Sequence, residues 1–115
     1  MQHFNWAPLE NTEIKWLGVD FDDTIAGNNG FPNFIPKEPL PGAVEALNKL
    51  NDAGYKITIF TARPWVDYQN IEKYCEHYNI PVRRIICGKP LFKWMIDDKN
   101  IEFKNSWEDV LGKIL

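Results

Sequence analysis

The sequence predicts an α/β fold: a single Rossmann-like domain with a parallel sheet flanked by helices. Three observations lead there. Short apolar, β-prone runs alternate with stretches whose apolar side chains recur at helical spacing. A helix-length segment separates the first three runs, so their connections are crossovers and the strands run parallel. Each of the first four runs is followed closely by polar residues, and in such sheets ligands bind at the carboxyl ends of the strands.

The elements follow in chain order. Residues 1–13 are polar with scattered aromatics and read as a lead-in segment. Ile14 to Asp20 is apolar and is expected to be a buried strand ending at Asp20. Residues 26–41 hold two glycines and four prolines interspersed with Asn28 and Asn29, which predicts an irregular loop. Pro41 suits the start of a helix on which Val44, Leu47 and Leu50 form a stripe, and Gly54 stands where a C′ glycine would end it. Tyr55 to Phe60 reads as a second strand. A helix over 66–78 places Tyr68, Ile71, Cys75 and Tyr78 on one face, and Pro81 closes that region. Val82 to Cys87 is expected as a third strand, Trp94 to Asp97 as a short fourth and Ile101 to Phe103 as a fifth. Ser106 is placed to cap a last helix running through Ile114, with Asp109 at its N3 position.

With 115 residues, the length prior is one domain, and the expected unit is 1–115 with no room for a separate cap domain. Hydrophobic residues make up 44% and charged residues 25%, as in ordinary globular proteins. The five Trp suggest a dense core or an aromatic-lined pocket. Net charge is −3, yet five acids sit in two tight groups, Asp20, Asp22 and Asp23, then Asp97 and Asp98. Removing those five negative charges would leave +2, so the acidity is concentrated, as a cation site requires. No basic block points to nucleic acid, Arg83-Arg84 being only a pair. Cys75 and Cys87 form no CxxC and read as reduced, buried thiols. The first residues show no signal-peptide pattern, and no apolar run approaches the roughly 20 residues of a membrane span. A cytoplasmic protein without membrane contact is expected.

The chemistry-bearing groups follow the first four strands: Asp20-Phe21-Asp22, then Thr61, then Lys89, then Asp97-Asp98. Taken singly, each is what a chain surfacing from a strand, or a turn, commonly carries. Their common place at one sheet edge makes them a set, and the set fits phosphoryl transfer. That reaction is catalysed mainly by positioning and by stabilising negative charge. Asp20 can attack phosphorus and form an aspartyl-phosphate. Asp22, two residues on, can approach the leaving-group oxygen as general acid and then serve as base for water. A carboxylate cluster repels a phosphate dianion unless a hard cation is present, and Mg2+ takes oxygen ligands. Asp97 or Asp98 can add a ligand, Lys89 offsets remaining charge, and the Thr61 hydroxyl can donate to a phosphoryl oxygen. Backbone N–H groups just past a strand end can do the same. The expected substrate-binding set is Phe21, Thr61, Ala62, Arg63 and Lys89.

Four segments in order resemble the motifs of the haloacid dehalogenase superfamily: Leu17-Gly-Val-Asp-Phe-Asp-Asp-Thr24, Ile57-Thr-Ile-Phe-Thr-Ala-Arg63, Gly88-Lys-Pro90 and Trp94-Met-Ile-Asp-Asp98. Leu40 to Leu50 also resembles the first helix of that family, and the likeness covers roughly residues 14–104. It implies Asp20 as nucleophile and Asp22 as acid/base. It implies Mg2+ held by Asp20, the Asp22 backbone carbonyl and Asp97, with Asp98 close by. Thr61 and Lys89 would hold the phosphoryl group. Dehalogenases of the family lack the second aspartate, so Asp22 implies a phosphatase. The short spacings between motifs resemble the capless members, which act on large substrates or borrow a neighbouring subunit as a lid. Phe31, Phe34 and Ile35 offer such a lid edge or an oligomer contact, or equally the tucked-in aromatics of a Pro-rich connection; Arg63 and Trp65 are placed to touch substrate, Arg63 fitting a surface charge equally well. A small phosphorylated metabolite is the expected substrate. A polynucleotide end or a phosphoprotein is the alternative, with nucleic acid disfavoured by the acidity. Two rival readings remain: a receiver domain and a non-catalytic module of the same fold. A receiver needs a lone acceptor Asp after a middle strand and Lys after the last one. This chain has Thr61 and a late Asp97-Asp98.

Overall fold

A computed structural model describes residues 14–28 and 36–115. The lead-in 1–13, and Phe31, Phe34 and Ile35, lie outside the described residues. The elements are β1 (Lys15–Val19), α1 (Ala43–Asp52), β2 (Tyr55–Phe60), a 3-10 turn (Trp65–Asp67), α2 (Tyr68–His77), β3 (Val82–Ile86) and α3 (Trp107–Ile114). β1 pairs in parallel with β2, and β2 with β3, so the sheet order is β1-β2-β3. This is a Rossmann-like α/β arrangement with helices against the sheet.

β2 is the central strand, and its residues explain why. Ile57, Thr58 and Ile59 are β-branched and buried, which suits a strand covered on both faces. α1 packs against β2 and α3. Its core positions are Ala43, Ala46, Leu47 and Leu50, spaced i, i+3, i+4, i+7. Val44, expected in that stripe, is only half-buried at its border. Gly54 follows the helix at φ +99°, a left-handed conformation that favours glycine. α2 begins through the 3-10 turn and buries Ile71 and Cys75, the expected face. Ser106 caps α3: its Oγ accepts from the Asp109 N–H at 3.1 Å. Trp107 is buried, and its indole Nε1 donates to the Thr24 carbonyl at 2.7 Å. That bond ties the last helix to the loop after β1.

Two expected strands do not form. Residues 87–106 carry no helix or strand, so Trp94–Asp97 and Ile101–Phe103 are irregular. A strand needs a face to bury, and Ile96 is fully exposed with Trp94 80% exposed. Nor do the described Trp residues gather in a core: Trp107 is buried, while Trp65 and Trp94 are exposed. No helix among the described residues is long and apolar enough to cross a membrane.

Candidate active site

Asp20 is the first residue after β1, Thr61 the first after β2, and Lys89 comes three residues after β3. Parallel pairing brings these carboxyl ends together. Backbone bonds then lock the loops: Thr61 N–H donates to Ile86 O (2.9 Å), Lys89 N–H to Thr61 O (2.9 Å) and Gly88 N–H to Arg63 O (2.8 Å). Gly88 sits at φ +76°, and a Cβ there would lie 3.4 Å from the Trp65 indole nitrogen. After β1 the chain turns sharply. The Phe21 carbonyl accepts from the N–H groups of Thr24, Ile25 and Ala26, and Asp23 adopts φ +60°. Asp tolerates that region better than most residues. The turn carries Asp22 beside Asp20.

A cleft of about 110 Å3 is lined by Asp20, Asp22, Asn28, Ala62, Lys89 and Leu91. A larger concavity, about 230 Å3, lies between α2 and β3, lined by Glu72, Cys75, Arg83 and Arg84 among others. It holds none of the strand-end groups, so size does not mark the site here. The Asp20 side chain is 43% exposed, and Lys89 Nζ lies 3.5 Å from its Oδ1. Burial raises the Asp20 pKa, and the charge of Lys89 and the Phe21 N–H donating to Oδ1 at 2.9 Å only partly oppose this.

Asp22 is held by Arg63. Arg63 Nε donates to Asp22 Oδ2 at 2.8 Å and Nη2 to Oδ1 at 2.7 Å, a bidentate pair. The Arg63 side chain is fully buried, and its Nη1 lies 3.6 Å from Asp67 Oδ2. The sequence reading left Arg63 between a substrate contact and a surface charge; it is neither, because two carboxylates neutralise it inside the protein. Asp67, four residues on, was not anticipated, although an i, i+4 acid is a visible signal. Asn28 and Leu91 line the cleft and carried no signal of their own.

The other expected groups divide. Thr61 is fully buried, and its Oγ1 accepts from the Arg63 N–H at 3.1 Å, which leaves the hydroxyl hydrogen available. Ala62 lines the cleft. Phe21 does not: its ring is buried core, edge-on to Tyr74 at 5.1 Å. Trp65 is 58% exposed and stacks on Tyr68 outside the cleft lining. Asp97 and Asp98 also stay outside that lining and are exposed. Asp97 Oδ1 accepts from the Lys99 N–H at 2.9 Å, and Asp98 pairs with Lys99 at 3.8 Å. Without the fourth strand nothing carries them to the sheet edge. Among the described residues no three His, Cys, Asp or Glu side chains converge as a metal cage. The oxygens present still fit Mg2+, which usually binds through one or two carboxylates, several waters and substrate phosphate. Asp20 is such a carboxylate. Asn28 Oδ1 is a buried oxygen in the same cleft with no hydrogen-bond partner among the described residues. The thiols are not candidates for nucleophile: both are buried, and burial, with Glu72 beside it, pushes Cys75 to about 12.

No protein-family model matches the chain, nor does any curated relative. Among solved structures, a crystal structure of a protein from Vibrio cholerae aligns at TM-score 0.63 and 22% identity, over 87% of this chain and 98% of that one. A chain in a structure of the Pnkp1/Rnl/Hen1 complex aligns at TM-score 0.57 and 16% identity. That match covers 76% of this chain and 32% of the other. At these identities the likeness shows the fold.

Proposed function

We propose that the chain is a Mg2+-dependent phosphatase of the haloacid dehalogenase type. The observation that supports it best is the cleft at the carboxyl ends of the parallel strands, where Asp20, Asp22 and Lys89 meet and Lys89 Nζ lies 3.5 Å from Asp20 Oδ1. An Asp20 oxygen attacks the phosphorus of a phosphomonoester. The new O–P bond forms as the bond to the leaving-group oxygen breaks, and that oxygen takes a proton. Water then cleaves the aspartyl-phosphate and releases inorganic phosphate. Lys89 offsets phosphoryl charge, and the Thr61 hydroxyl and strand-end N–H groups donate to its oxygens. Asp22 faces the leaving group as acid and later the water as base. Mg2+ is to be held by Asp20 and the Asp22 carbonyl, with Asp97 or Asp98 joining, and when bound it lowers the repulsion between Asp20 and the incoming dianion. The substrate is a small phosphorylated metabolite.

The test is phosphate release from a phosphomonoester panel with and without Mg2+, including 3′- and 5′-phosphorylated oligonucleotides. Wild-type protein is expected to turn over in Mg2+, and Asp20→Asn to lose hydrolysis while staying folded. Activity near wild type in Asp20→Asn would overturn the nucleophile assignment. A stable aspartyl-phosphate without turnover would favour a receiver domain.

A further inference from the structure

A fully buried arginine beside the cleft is costly unless its charge is matched, and here two carboxylates match it. The two matches differ in geometry. Toward Asp22 the guanidinium presents its Nε and Nη2 at 2.8 and 2.7 Å, one donor on each oxygen. That fork fixes the position and the plane of the Asp22 carboxylate. Toward Asp67 there is only a 3.6 Å approach of Nη1. The arginine is itself held: its N–H donates to Thr61 Oγ1 and its carbonyl accepts from Gly88 N–H. Its guanidinium also lies 5.7 Å from the Phe21 ring centroid. Arg63 is thus anchored to the loops after β2 and β3 while its fork reaches the loop after β1.

We propose that Arg63 is a positioning residue that fixes the Asp22 carboxylate for transfer of a proton at the leaving-group oxygen, with Asp67 anchoring the guanidinium from behind. This rests on the phosphatase reading above. A bidentate arginine occupies one lone-pair site on each carboxylate oxygen, and each oxygen keeps a second. Proton transfer then runs through those outward sites, whose direction Arg63 sets. Arg63 is not in the cleft lining, so it acts through Asp22 and not on the substrate.

The test compares wild type, Arg63→Lys and Asp67→Asn on two substrates, an alkyl phosphate and an aryl phosphate with a good leaving group. Only the alkyl substrate needs a proton as its bond to phosphorus breaks. Arg63→Lys keeps the charge and loses the fork. Its kcat/KM for the alkyl phosphate is expected to fall about 100-fold, the scale of one acid/base contribution. Its kcat/KM for the aryl phosphate should fall several-fold at most. Asp67→Asn, which keeps the fork, should lose less than Arg63→Lys and in the same direction. Added guanidinium ion should restore part of the alkyl activity in Arg63→Ala. Equal losses on both substrates after correction for folded protein would make Arg63 a structural counter-ion and overturn the proposal. No loss in Arg63→Lys would overturn it too, and either result leaves the phosphatase reading standing. Absence of hydrolysis by wild type on either substrate would overturn both.

Discussion

Asp20 shows what the proposed chemistry does to stability. Its pKa is raised, with burial the largest cause. A carboxyl whose folded pKa lies above the unfolded value favours folding fully only at pH below the unfolded value, and that contribution is lost as pH rises through the folded one. At neutral pH the ionised carboxylate therefore opposes folding. In metal-free buffer, Asp20→Asn should melt at or above the wild-type temperature at pH 7, with the excess fading as pH falls toward 3.8, the ordinary value for Asp. A lower melting temperature at pH 7 would show that losing the Lys89 pair outweighs relief from burial. Such a gain with loss of activity is the familiar trade at functional sites. Asp20, Asp22, Thr61 and Lys89 were legible in the sequence because each lies just beyond a recognisable strand or two residues from such a group. The Arg63 clamp was not legible. An arginine after Thr61 looks the same in sequence whether it faces water or two acids, and only the turn at Phe21 brings Asp22 within its reach.

At the scale of elements, legibility followed local signals. β2, the Gly54 stop and the Ser106 cap depend on neighbours within a few residues, and all three are where the sequence put them. The expected strands at Trp94–Asp97 and Ile101–Phe103 depend on a distant partner, and composition alone cannot supply one. The Ser106 cap has a measurable value. Its Oγ satisfies the Asp109 N–H, one of the donors a helix start leaves open. Ser106→Ala should destabilise the protein by about 1 kcal/mol in urea unfolding. Because Trp107, the next residue, bonds to Thr24, fraying of α3 would also loosen the loop that carries Asp22. A change below a few tenths of a kcal/mol would mean that packing of Trp107 and Val110 alone holds the helix start.

At the scale of the whole molecule, the sheet has three strands among the described residues, so β1 and β3 are its edges. Leu91, Phe92, Trp94, Met95 and Ile96 are exposed together in the irregular stretch after Lys89, just before Asp97 and Asp98. Among the described residues, the ion pair within that stretch, Asp98–Lys99, spans 3.8 Å with both side chains about 85% exposed, and such pairs contribute little. Moving it is therefore cheap, and burying its apolar side chains would be favourable at roughly 25 cal/mol per Å2. If Mg2+ is held as proposed, binding should draw Asp97 or Asp98 to the cleft and cover part of that surface. Mg2+ with beryllofluoride, a phosphoryl mimic, is then expected to stabilise wild type by about 2.7 kcal/mol at a hundred times its Kd. The same addition should blue-shift a tryptophan signal that Trp94→Phe removes. Asp97→Asn combined with Asp98→Asn should shrink both effects and leave the metal-free melting temperature unchanged, since neither acid touches the core. Full stabilisation in that double variant would mean that the cleft residues Asp20, Asp22 and Asn28 hold the cation alone, with the apolar stretch left outside.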